Sequence, residues 1–591
     1  MANKNVICIT IDALAYDSIE REIDGEKIMP FLASLSEKGC TYTNMYSQAP
    51  YTEAALVALL GGENVLDNGG YILGNSMVKE TIFNDFRNNN YKVILGYSPY
   101  IYSKALLRDV DEFFYTRFFS IKPLMDYRLK YFREKRKNEN LNEQEYEICM
   151  ELLKESYVTW IEQLEALINK KEQANLILPL IDDLKKIQNI KNQVWKEYNE
   201  FRSQPIQYIN RIFDGDKEEI LLSINNLYNE RKRTISKEAL LTHIEKLKIF
   251  QKKYTKICKK QKIKRSYWWN CIRNKNNIME CKKLISTYIN YYSNNYLSSY
   301  FTEANETYKP ELGLKNQLDE IYARIQKKDK NNENFLVYIQ PQDFHLPSVF
   351  HSFDISDTDL LKKEMEEAYN KLTHLNIHYR GNILADLSAA YCDKKIEEFF
   401  NKISNTLQNE FIFVVTADHG YPCYDNPPRN QIYNQTYREA FHIPLVIFDS
   451  GNYHYETIES FNCNVDFGKI LKQHAYDFKS FIPSREYVLC EYAGPGCPFI
   501  SNNKIWYTYI DDTYRVSFQA YLGETISIQH IQEIYNYKND KDEMINLIYN
   551  KKHNENISHI IKCVDIRHEE LSSKFSNYKF ETHIIENIKK V

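Results

Sequence analysis

The sequence lacks the cysteine patterns that mark zinc-binding or cross-linked folds. Its 591 residues include 12 cysteines, but none form a CxxC pair and their spacing is irregular. This excludes the usual spacing of a structural zinc site and gives no sign of a disulfide framework. Free thiols are typical of a reducing compartment. A chain of this length can bury a large core, and we expect two to four domain-sized units.

The sequence also lacks a long apolar run and an excess of charge of one sign. No stretch approaches the roughly 18 apolar residues that span a bilayer, and the amino terminus MANKNVICITID has no signal-peptide pattern. We therefore expect no membrane span and a cytoplasmic location. Lysine plus arginine (76) nearly balances aspartate plus glutamate (80), for a net charge of -4. Bulk electrostatics thus argue against a nucleic-acid-binding protein.

Two apolar runs each end in an acidic residue. FIFVVTADHG, at 411–420, stops at Asp418 and His419, and NVICITID, at 5–12, ends in Asp12. Continuous β-branched and aromatic runs of this kind predict strands that are buried on both faces. Ligands in open α/β sheets bind outside the carboxyl ends of strands, so these three side chains are candidates for one metal site. The alternative is structural: each side chain caps a helix or a turn.

Thr52 occupies a position that suits either a helix cap or a nucleophile. Within 29–62 we predict an amphipathic helix that ends at Gly39, a short strand, a turn at Pro50 and a helix from about Thr52 to Leu60. A threonine at a helix amino terminus is usually an N-cap, which contributes about 1 kcal/mol. The helix dipole and the free backbone N–H groups there also stabilise an anion, which favours an activated nucleophile.

Several segments along the chain form a recognisable series. They are MPFLASLSEKGCTYTNMYSQAPYTEAALVALLGG (29–62), TIFNDFRNNNYKVILGYSP (81–99), NFLVYIQPQDFHLPSVF (334–350), LSAAYCDKKIEEF (387–399), FIFVVTADHG (411–420), REAFHIPLVIF (438–448), NKIWYTYIDDTYRVSF (503–518) and EIYNYKNDKDEMINL (533–547). In this order they resemble the sulfatase branch of the alkaline phosphatase superfamily. The closing motif at 533–547 is the most specific of these similarities.

The resemblance implies an α/β fold with an alkaline-phosphatase-like core, in which a mixed, mainly parallel sheet lies between helices. A large helical insertion and a small C-terminal α+β subdomain complete it. The expected boundaries are 1–119 and 331–480 for the two parts of the catalytic core, 120–330 for the insertion and 481–591 for the subdomain. The insertion is rich in Lys, Glu and Asn with few Gly or Pro, which predicts long amphipathic helices.

One part of the insertion is strongly basic. Residues 246–277 combine clustered lysines and arginines with Tyr267, Trp268 and Trp269. Such a face could hold a polyanionic or glycan-linked substrate. The alternative is a solvated helix whose tryptophans pack against the core.

The resemblance also implies a set of site residues. Asp12, Thr52, Asp418 and His419 match metal-ligand positions, and Thr52 matches the nucleophile as well. His345 would bind a substrate oxygen or protonate the leaving group. A divalent ion lowers the pKa of a bound hydroxyl and neutralises charge on a substrate oxygen. Nitrogen and oxygen ligands of this kind suit manganese or zinc.

Four further residues are weaker candidates. His442 and Lys79 are candidates for substrate binding, and Lys504 and Glu491 could also approach the site. The alternative for His442 is simple packing before a strand.

Departures from the family pattern narrow the chemistry. YTEAAL around Thr52 replaces the family's C/S-x-P-x-R motif, which excludes formylglycine chemistry. The family's second aspartate is Ala13, so a calcium site with several carboxylates is incomplete. Asp343 and His345 leave a second metal open. The set of Asp12, Thr52, Asp418 and His419 is similar to that of family members that use threonine for phosphoryl transfer, such as phosphoglycerol and phosphoethanolamine transferases.

The sequence therefore predicts a metal-dependent, sulfatase-like hydrolase or transferase. It would act on a phosphate ester, as a phosphodiesterase or a phosphotransferase, through a covalent phospho-Thr52 intermediate. One alternative is a sulfate-ester hydrolase that works with unmodified threonine. The other is a non-catalytic binding or scaffold protein whose insertion contacts a partner.

Overall fold

The structure is a computed structural model. It describes residues 3–23, 26–68, 80–96, 109–113, 129, 132–133, 136, 140–169, 184–214, 314–341, 343–344, 383–421, 437–452, 455–477, 484–492, 504–541, 543, 546–548 and 557–575.

Strands and helices alternate along much of the described chain. The strands are β1 (Asn5–Thr10), β2 (Glu22–Ile23), β3 (Glu26–Lys27), β4 (Cys40–Tyr42), β5 (Met45–Tyr46), β6 (Lys92–Leu95), β7 (Glu112–Phe113), β8 (Phe335–Ile339), β9 (Phe411–Thr416), β10 (Leu445–Asp449), β11 (Glu456–Ile458), β12 (Asn462–Cys463), β13 (Val488–Tyr492), β14 (Lys504–Ile510), β15 (Tyr514–Tyr521) and β16 (Ile531–Asn536). The helices are α1 (Asp17–Glu20), α2 (Pro30–Ser36), α3 (Thr52–Gly61), α4 (Ile82–Asn88), α5 (Glu143–Asn169), α6 (Leu184–Ser203), α7 (Pro205–Asp214), α8 (Leu314–Lys330), α9 (Ile383–Ser404), α10 (Arg438–Phe441), α11 (Phe467–Ala475) and α12 (Ser558–Phe575).

The core of the molecule is one mixed sheet. Its strand order is β11-β4-β10-β9-β1-β8-β6-β7. Neighbouring strands run parallel except on either side of β10, which is antiparallel to both β9 and β4. This arrangement confirms the predicted α/β fold with a mixed, mainly parallel sheet.

The three central strands β9, β1 and β8 bring their carboxyl ends to the same edge of the sheet. β1 pairs in parallel with β9, up to Thr10 beside Thr416, and with β8, up to Ile9 beside Ile339. Every residue of the three strands is buried. Because both faces are covered, these strands are continuously apolar rather than alternating, as the sequence indicated.

Helix α2, which packs on β10 of the sheet, is capped by a side chain of a neighbouring helix. Asp393 on α9 accepts hydrogen bonds from the backbone N–H groups of Phe31 and Leu32, at 2.9 and 2.8 Å. Its carboxylate therefore satisfies orphan donors at the amino terminus of α2, where negative charge is also favoured by the helix dipole.

Helices α5, α6, α7 and α8 lie within the predicted insertion, 120–330. α6 packs against α5 and α7, whereas α8 packs against β8 and α9 of the core. Although α8 lies in the predicted insertion, its described contacts are therefore with the core that contains the central sheet. The basic segment 246–277 lies outside the described residues, and the domain boundaries stay predictions.

A second sheet follows the core. Its order is β13-β14-β15-β16, all antiparallel, with α12 packed on β14. This confirms the small C-terminal α+β subdomain. Within it, the buried Arg515 pairs with Glu543 at 2.7 Å and Glu533 at 3.1 Å, which satisfies a guanidinium that would otherwise be costly to bury. No helix in the described ranges is long and apolar enough to cross a membrane.

Candidate metal centre

Three buried ligand groups converge where β1 and β9 end. Asp12 follows β1, and Asp418 and His419 follow β9; one ligand atom from each lies within 4.8 Å of the others. His419 Nε2 is 3.7 Å from Asp12 Oδ1 and 3.7 Å from Asp418 Oδ2. Both carboxylates are completely shielded from solvent. Two buried carboxylates at this spacing repel one another, and a cation between them would offset that cost.

Thr52 supplies a fourth polar atom to the same cluster. Its Oγ is 3.2 Å from His419 Nε2 and 3.4 Å from Asp12 Oδ1. Thr52 is the first residue of α3, and the residue in the N-cap position is Tyr51, which makes no side-chain capping bond. Thr52 is therefore not in the N-cap position. Its hydroxyl faces the two ligand residues, as the nucleophile hypothesis requires.

The protonation of His419 follows from its second ring nitrogen. Nδ1 is 2.7 Å from the carbonyl oxygen of Gly420, which can only accept a hydrogen bond. The proton of a neutral ring therefore sits on Nδ1, and Nε2 presents its lone pair to Asp12, Asp418 and Thr52. A backbone carbonyl that orients the ring in this way is a common partner of metal-binding histidines.

Ala13 helps to hold Asp418 and has an unusual backbone. Its φ is 66°, in the left-handed region, which costs a residue with a Cβ on the order of 1–2 kcal/mol. In this conformation the N–H of Ala13 donates to Asp418 Oδ1 at 3.1 Å. Where the family pattern has a second carboxylate, the chain therefore has a strained backbone donor that binds the neighbouring ligand.

The comparisons with known proteins point to one family. Residues 251–477 match the family model described as Sulfatase. This segment of the chain is therefore similar to the sulfatase family. The segment includes Asp418 and His419, whereas Asp12 and Thr52 precede it. It covers less than half of the chain, and no curated protein matches the sequence.

Solved structures with some likeness include three enzymes. They are the phosphonate monoester hydrolase SpPMH from Silicibacter pomeroyi (12% identity, 96% of this chain and 95% of that one, TM-score 0.44), the lipoteichoic acid synthase LtaP from Listeria monocytogenes (11%, 98% and 92%, 0.44) and the 2-O GAG sulfatase BT1596 (11%, 98% and 94%, 0.44). These TM-scores are all below 0.5, so the likenesses do not by themselves establish a shared fold.

His442, a candidate for substrate binding, lies outside the four-residue cluster. Its ring stacks between Tyr16 and Tyr46, with centroids 4.4 and 4.8 Å away. Its Nε2 donates to the Thr43 carbonyl at 2.7 Å, and its Nδ1 accepts from the Arg438 guanidinium at 2.7 Å. Burial and the nearby Arg438 charge hold the pKa of His442 well below its usual value. The structure thus gives this neutral ring a packing role, and its contact with substrate stays a prediction.

The other candidates are placed as follows. Lys79 and His345 lie outside the described residues, as does the side chain of Lys504. Glu491 lies on β13 and forms a two-bond ion pair with Arg567 of α12, at 2.6 and 2.7 Å. Asp343 is completely buried, and its Oδ2 accepts the N–H of Leu314 at 2.8 Å. This oxygen of Asp343 therefore binds the amino terminus of α8. A second metal at Asp343 and His345 stays a prediction.

Two residues of the site were missed in the sequence. Gln340 follows β8 directly and donates from Nε2 to Asp418 Oδ2 at 3.0 Å. Its position just beyond a buried strand was the available signal. Asn464 accepts the N–H of Gln48 at 3.0 Å and donates to the Ala55 carbonyl at 3.1 Å, so it braces α3 and the loop before it. No local pattern marks a contact between residues more than 400 positions apart.

The residues present fit a divalent cation. They supply two carboxylates, an imidazole lone pair and a hydroxyl in a buried cluster, and each carboxylate or imidazole has a neighbour that fixes its orientation. The mixture of nitrogen and oxygen suits zinc or manganese.

Proposed function

We propose that this protein is a metal-dependent, sulfatase-like hydrolase or transferase that acts on a phosphate ester through Thr52. One observation carries the proposal. The Thr52 hydroxyl lies within hydrogen-bonding reach of both Asp12 and His419, at the start of a ten-residue helix. A phosphate ester is favoured over a sulfate ester because formylglycine cannot form at a threonine.

Each residue has a definable task in the first step. Thr52 Oγ attacks phosphorus, forming an O–P bond as the bond from phosphorus to the leaving alcohol breaks. Asp12 Oδ1, to which the Thr52 hydroxyl donates at 3.4 Å, takes the hydroxyl proton, while His419 Nε2 keeps its lone pair for the cation. Asp12, Asp418, His419 and Thr52 would hold the cation, which supplies a lower hydroxyl pKa and neutralises charge on the phosphoryl oxygens.

The backbone of α3 also favours the reaction. The first N–H groups of a helix have no partner inside it, and they carry partial positive charge. Thr52 stands among them, so a negatively charged phosphoryl group on its oxygen would face favourable dipoles.

His345 is proposed to protonate the leaving alcohol. In the second step the phospho-Thr52 bond breaks when water or an acceptor hydroxyl attacks, which makes the enzyme a hydrolase or a transferase respectively.

The first prediction concerns the nucleophile. Thr52→Val removes the hydroxyl but keeps the branched shape, and we expect phosphoester turnover to fall by about 10³-fold or more. Purified protein would be assayed with zinc or manganese on bis-p-nitrophenyl phosphate, p-nitrophenyl phosphate and p-nitrophenyl sulfate. Thr52→Ser is the matched control, since it keeps a hydroxyl at the same Cβ and should retain measurable activity.

The outcomes separate the alternatives. Preferred turnover of the sulfate ester would replace the phosphate reading with sulfate-ester hydrolysis by an unmodified threonine. If wild type binds no metal and cleaves none of the three esters, the scaffold alternative holds. Equal turnover by wild type and Thr52→Val would remove Thr52 from the reaction. A glycan-linked substrate and a cytoplasmic location stay predictions, testable by substrate screening and by fractionation.

A further inference from the structure

Three hydrogen bonds fix the carboxylate of Asp418. The backbone N–H groups of Ala13 and His419 both donate to Oδ1, at 3.1 and 2.9 Å. The side-chain amide of Gln340 donates to Oδ2 at 3.0 Å. Both Asp418 and Gln340 are completely buried, so water does not compete for these bonds.

The three bonds leave the two oxygens of Asp418 in different states. A carboxylate oxygen has two lone pairs. Oδ1 uses both of its lone pairs on backbone donors, whereas among the described residues Oδ2 has one hydrogen-bond donor, Gln340, and has a second lone pair. Oδ2 is also the oxygen that lies 3.7 Å from His419 Nε2. Asp418 can therefore offer one lone pair, from one oxygen, to a cation beside His419.

Gln340 is itself held in place by the ligand strands. It follows Ile339, the last residue of β8, which pairs with Ile9 of β1. The next carbonyl, that of Pro341, accepts the N–H of Asp12 at 3.1 Å. The end of β8 thus orients Asp418 through the Gln340 side chain and holds the backbone of Asp12 through the Pro341 carbonyl.

We propose that Gln340 is a positioning residue that holds Oδ2 of Asp418, the oxygen left for one-oxygen ligation, beside His419 and so biases the site toward zinc or manganese and against calcium. The inference rests on the proposed metal-dependent function. Calcium takes six to eight oxygens and commonly binds carboxylates through both oxygens, whereas zinc accepts four ligands of mixed nitrogen and oxygen type. Without the Gln340 bond, Oδ2 loses the donor that fixes it beside His419, and the ion loses a positioned ligand oxygen.

The test is a comparison of metal affinities. Gln340→Met keeps the side-chain length and removes the donor. We expect the dissociation constants for Zn²⁺ and Mn²⁺, measured by calorimetric titration of metal-free protein, to rise about 10–100-fold. The constant for Ca²⁺ should change less, so that the ratio of Ca²⁺ to Zn²⁺ constants falls. Gln317→Met, the same change at a buried residue of α8, is the control and should leave all three constants as in wild type.

A second measurement does not depend on how the variant folds. In a crystal structure of the wild-type protein with Zn²⁺, Asp418 should bind the ion through Oδ2 alone. Binding through both oxygens would overturn the inference, as would a Gln340→Met protein that is folded and has wild-type constants. If wild type binds neither Zn²⁺ nor Mn²⁺, the proposed function fails together with the inference. If it binds them and Gln340 has no effect, only the inference fails.

Discussion

Thr52 shows how a single residue can satisfy two sequence readings and be assigned by its neighbours. A threonine at the start of a helix is most often a cap, and that reading needs the Thr52 hydroxyl to bond the first turn of α3. In the structure Thr52 stands one position inside the helix, and its hydroxyl is directed to Asp12 and His419. The position in the helix, rather than the residue type, distinguishes the two roles.

Gly420 supports the ligand next to it in two ways. Its carbonyl fixes the proton on His419 Nδ1, and its own N–H donates to the Ala440 carbonyl at 2.9 Å. A Cβ at this position would lie 1.9 Å from the carbonyl oxygen of Glu439. The backbone of α10 is therefore packed directly against this residue, and only glycine fits there without a shift.

We predict that Gly420→Ala destabilises the protein by about 1–3 kcal/mol and weakens metal binding. The first effect comes from overpacking against a backbone that cannot rotate away, and the second from displacement of His419. Urea unfolding and calorimetric titration with Zn²⁺ would measure them. Gly451→Ala is the control, because its Cβ would meet only the flexible carboxylate of Glu410. Equal stability of the two variants would contradict the packing argument.

Helix α3 carries Thr52 on an element that is apolar on every face. All seven residues from Ala54 to Leu60 are completely buried, so packing rather than amphipathic patterning fixes its position. Gly62 ends the helix with a φ of 67°, as a left-handed glycine commonly does. Asn464 bonds Ala55 and the loop before the helix. The nucleophile is thus placed by an element that is restrained at both ends.

Helix α11 packs against α3 and carries His474, whose pKa burial lowers to about 4. Folded His474 therefore stays neutral in a range where unfolded histidine takes up a proton near its ordinary pKa of 6.5. Unfolding binds this proton between about pH 6.5 and 4, so the contribution is complete above pH 6.5. It is lost as pH falls, by at most about 3 kcal/mol. The lowered pKa of His442 acts in the same direction.

We predict that His474→Gln reduces the loss of stability between pH 6.5 and 4 without removing it, since His442 remains. Urea unfolding of wild type and variant at several pH values in this range would give the two slopes. His559→Gln, the same change at an exposed position of α12, is the comparison. A His474→Gln slope that equals the wild-type slope would show that His474 is not the group that takes up the proton.

At the scale of the whole molecule, the C-terminal subdomain contacts the loop that precedes the nucleophile. The N–H of Glu491 on β13 donates to the carbonyl of Gln48, at 3.0 Å. Glu491 is then tied to α12 by the ion pair with Arg567, which also lies 3.2 Å from Asp67 beyond α3. The second sheet therefore stabilises both ends of the α3 region, although it contributes none of the four cluster residues.

Metal binding should stabilise the whole fold, because the ligands come from segments far apart in the chain. Asp12 and Asp418 are held together only when β1 and β9 are paired, so the unfolded chain does not form the site. We predict that Zn²⁺ or Mn²⁺ at 100 times its dissociation constant raises the free energy of unfolding by about 2.7 kcal/mol. Unfolding with metal and with a chelator would measure this difference.

The matched pair for that measurement is Asp418→Asn and Asp511→Asn. Asp511 accepts local backbone bonds in the turn between β14 and β15, away from the cluster, so its variant should keep the metal-dependent gain. Asp418→Asn should lose most of it. A gain that survives in Asp418→Asn would place the stabilising metal elsewhere.

The sequence by itself determined two central strands of the sheet, β1 and β9, and the candidate ligands that follow them. The runs 5–12 and 411–420 are apolar without alternation because both faces of β1 and β9 are covered, and this pattern is local enough to read directly. The helix at Thr52, the α/β class and the C-terminal α+β subdomain were also predicted correctly. In each case the signal lies within a few neighbouring residues or in the order of segments along the chain.

Only the tertiary structure decided which polar groups meet. Gln340 and Asp418 are 78 positions apart, and the left-handed backbone of Ala13 directs a donor that no motif announces. His442 was equally ambiguous in sequence, and its place between two tyrosine rings follows from how β5, α1 and α10 pack. Hydrogen bonds of this kind depend on distances set by strand pairing, whereas apolar patterning reports only which face of an element is covered. The sequence therefore identified candidate ligands, and the fold supplied their partners.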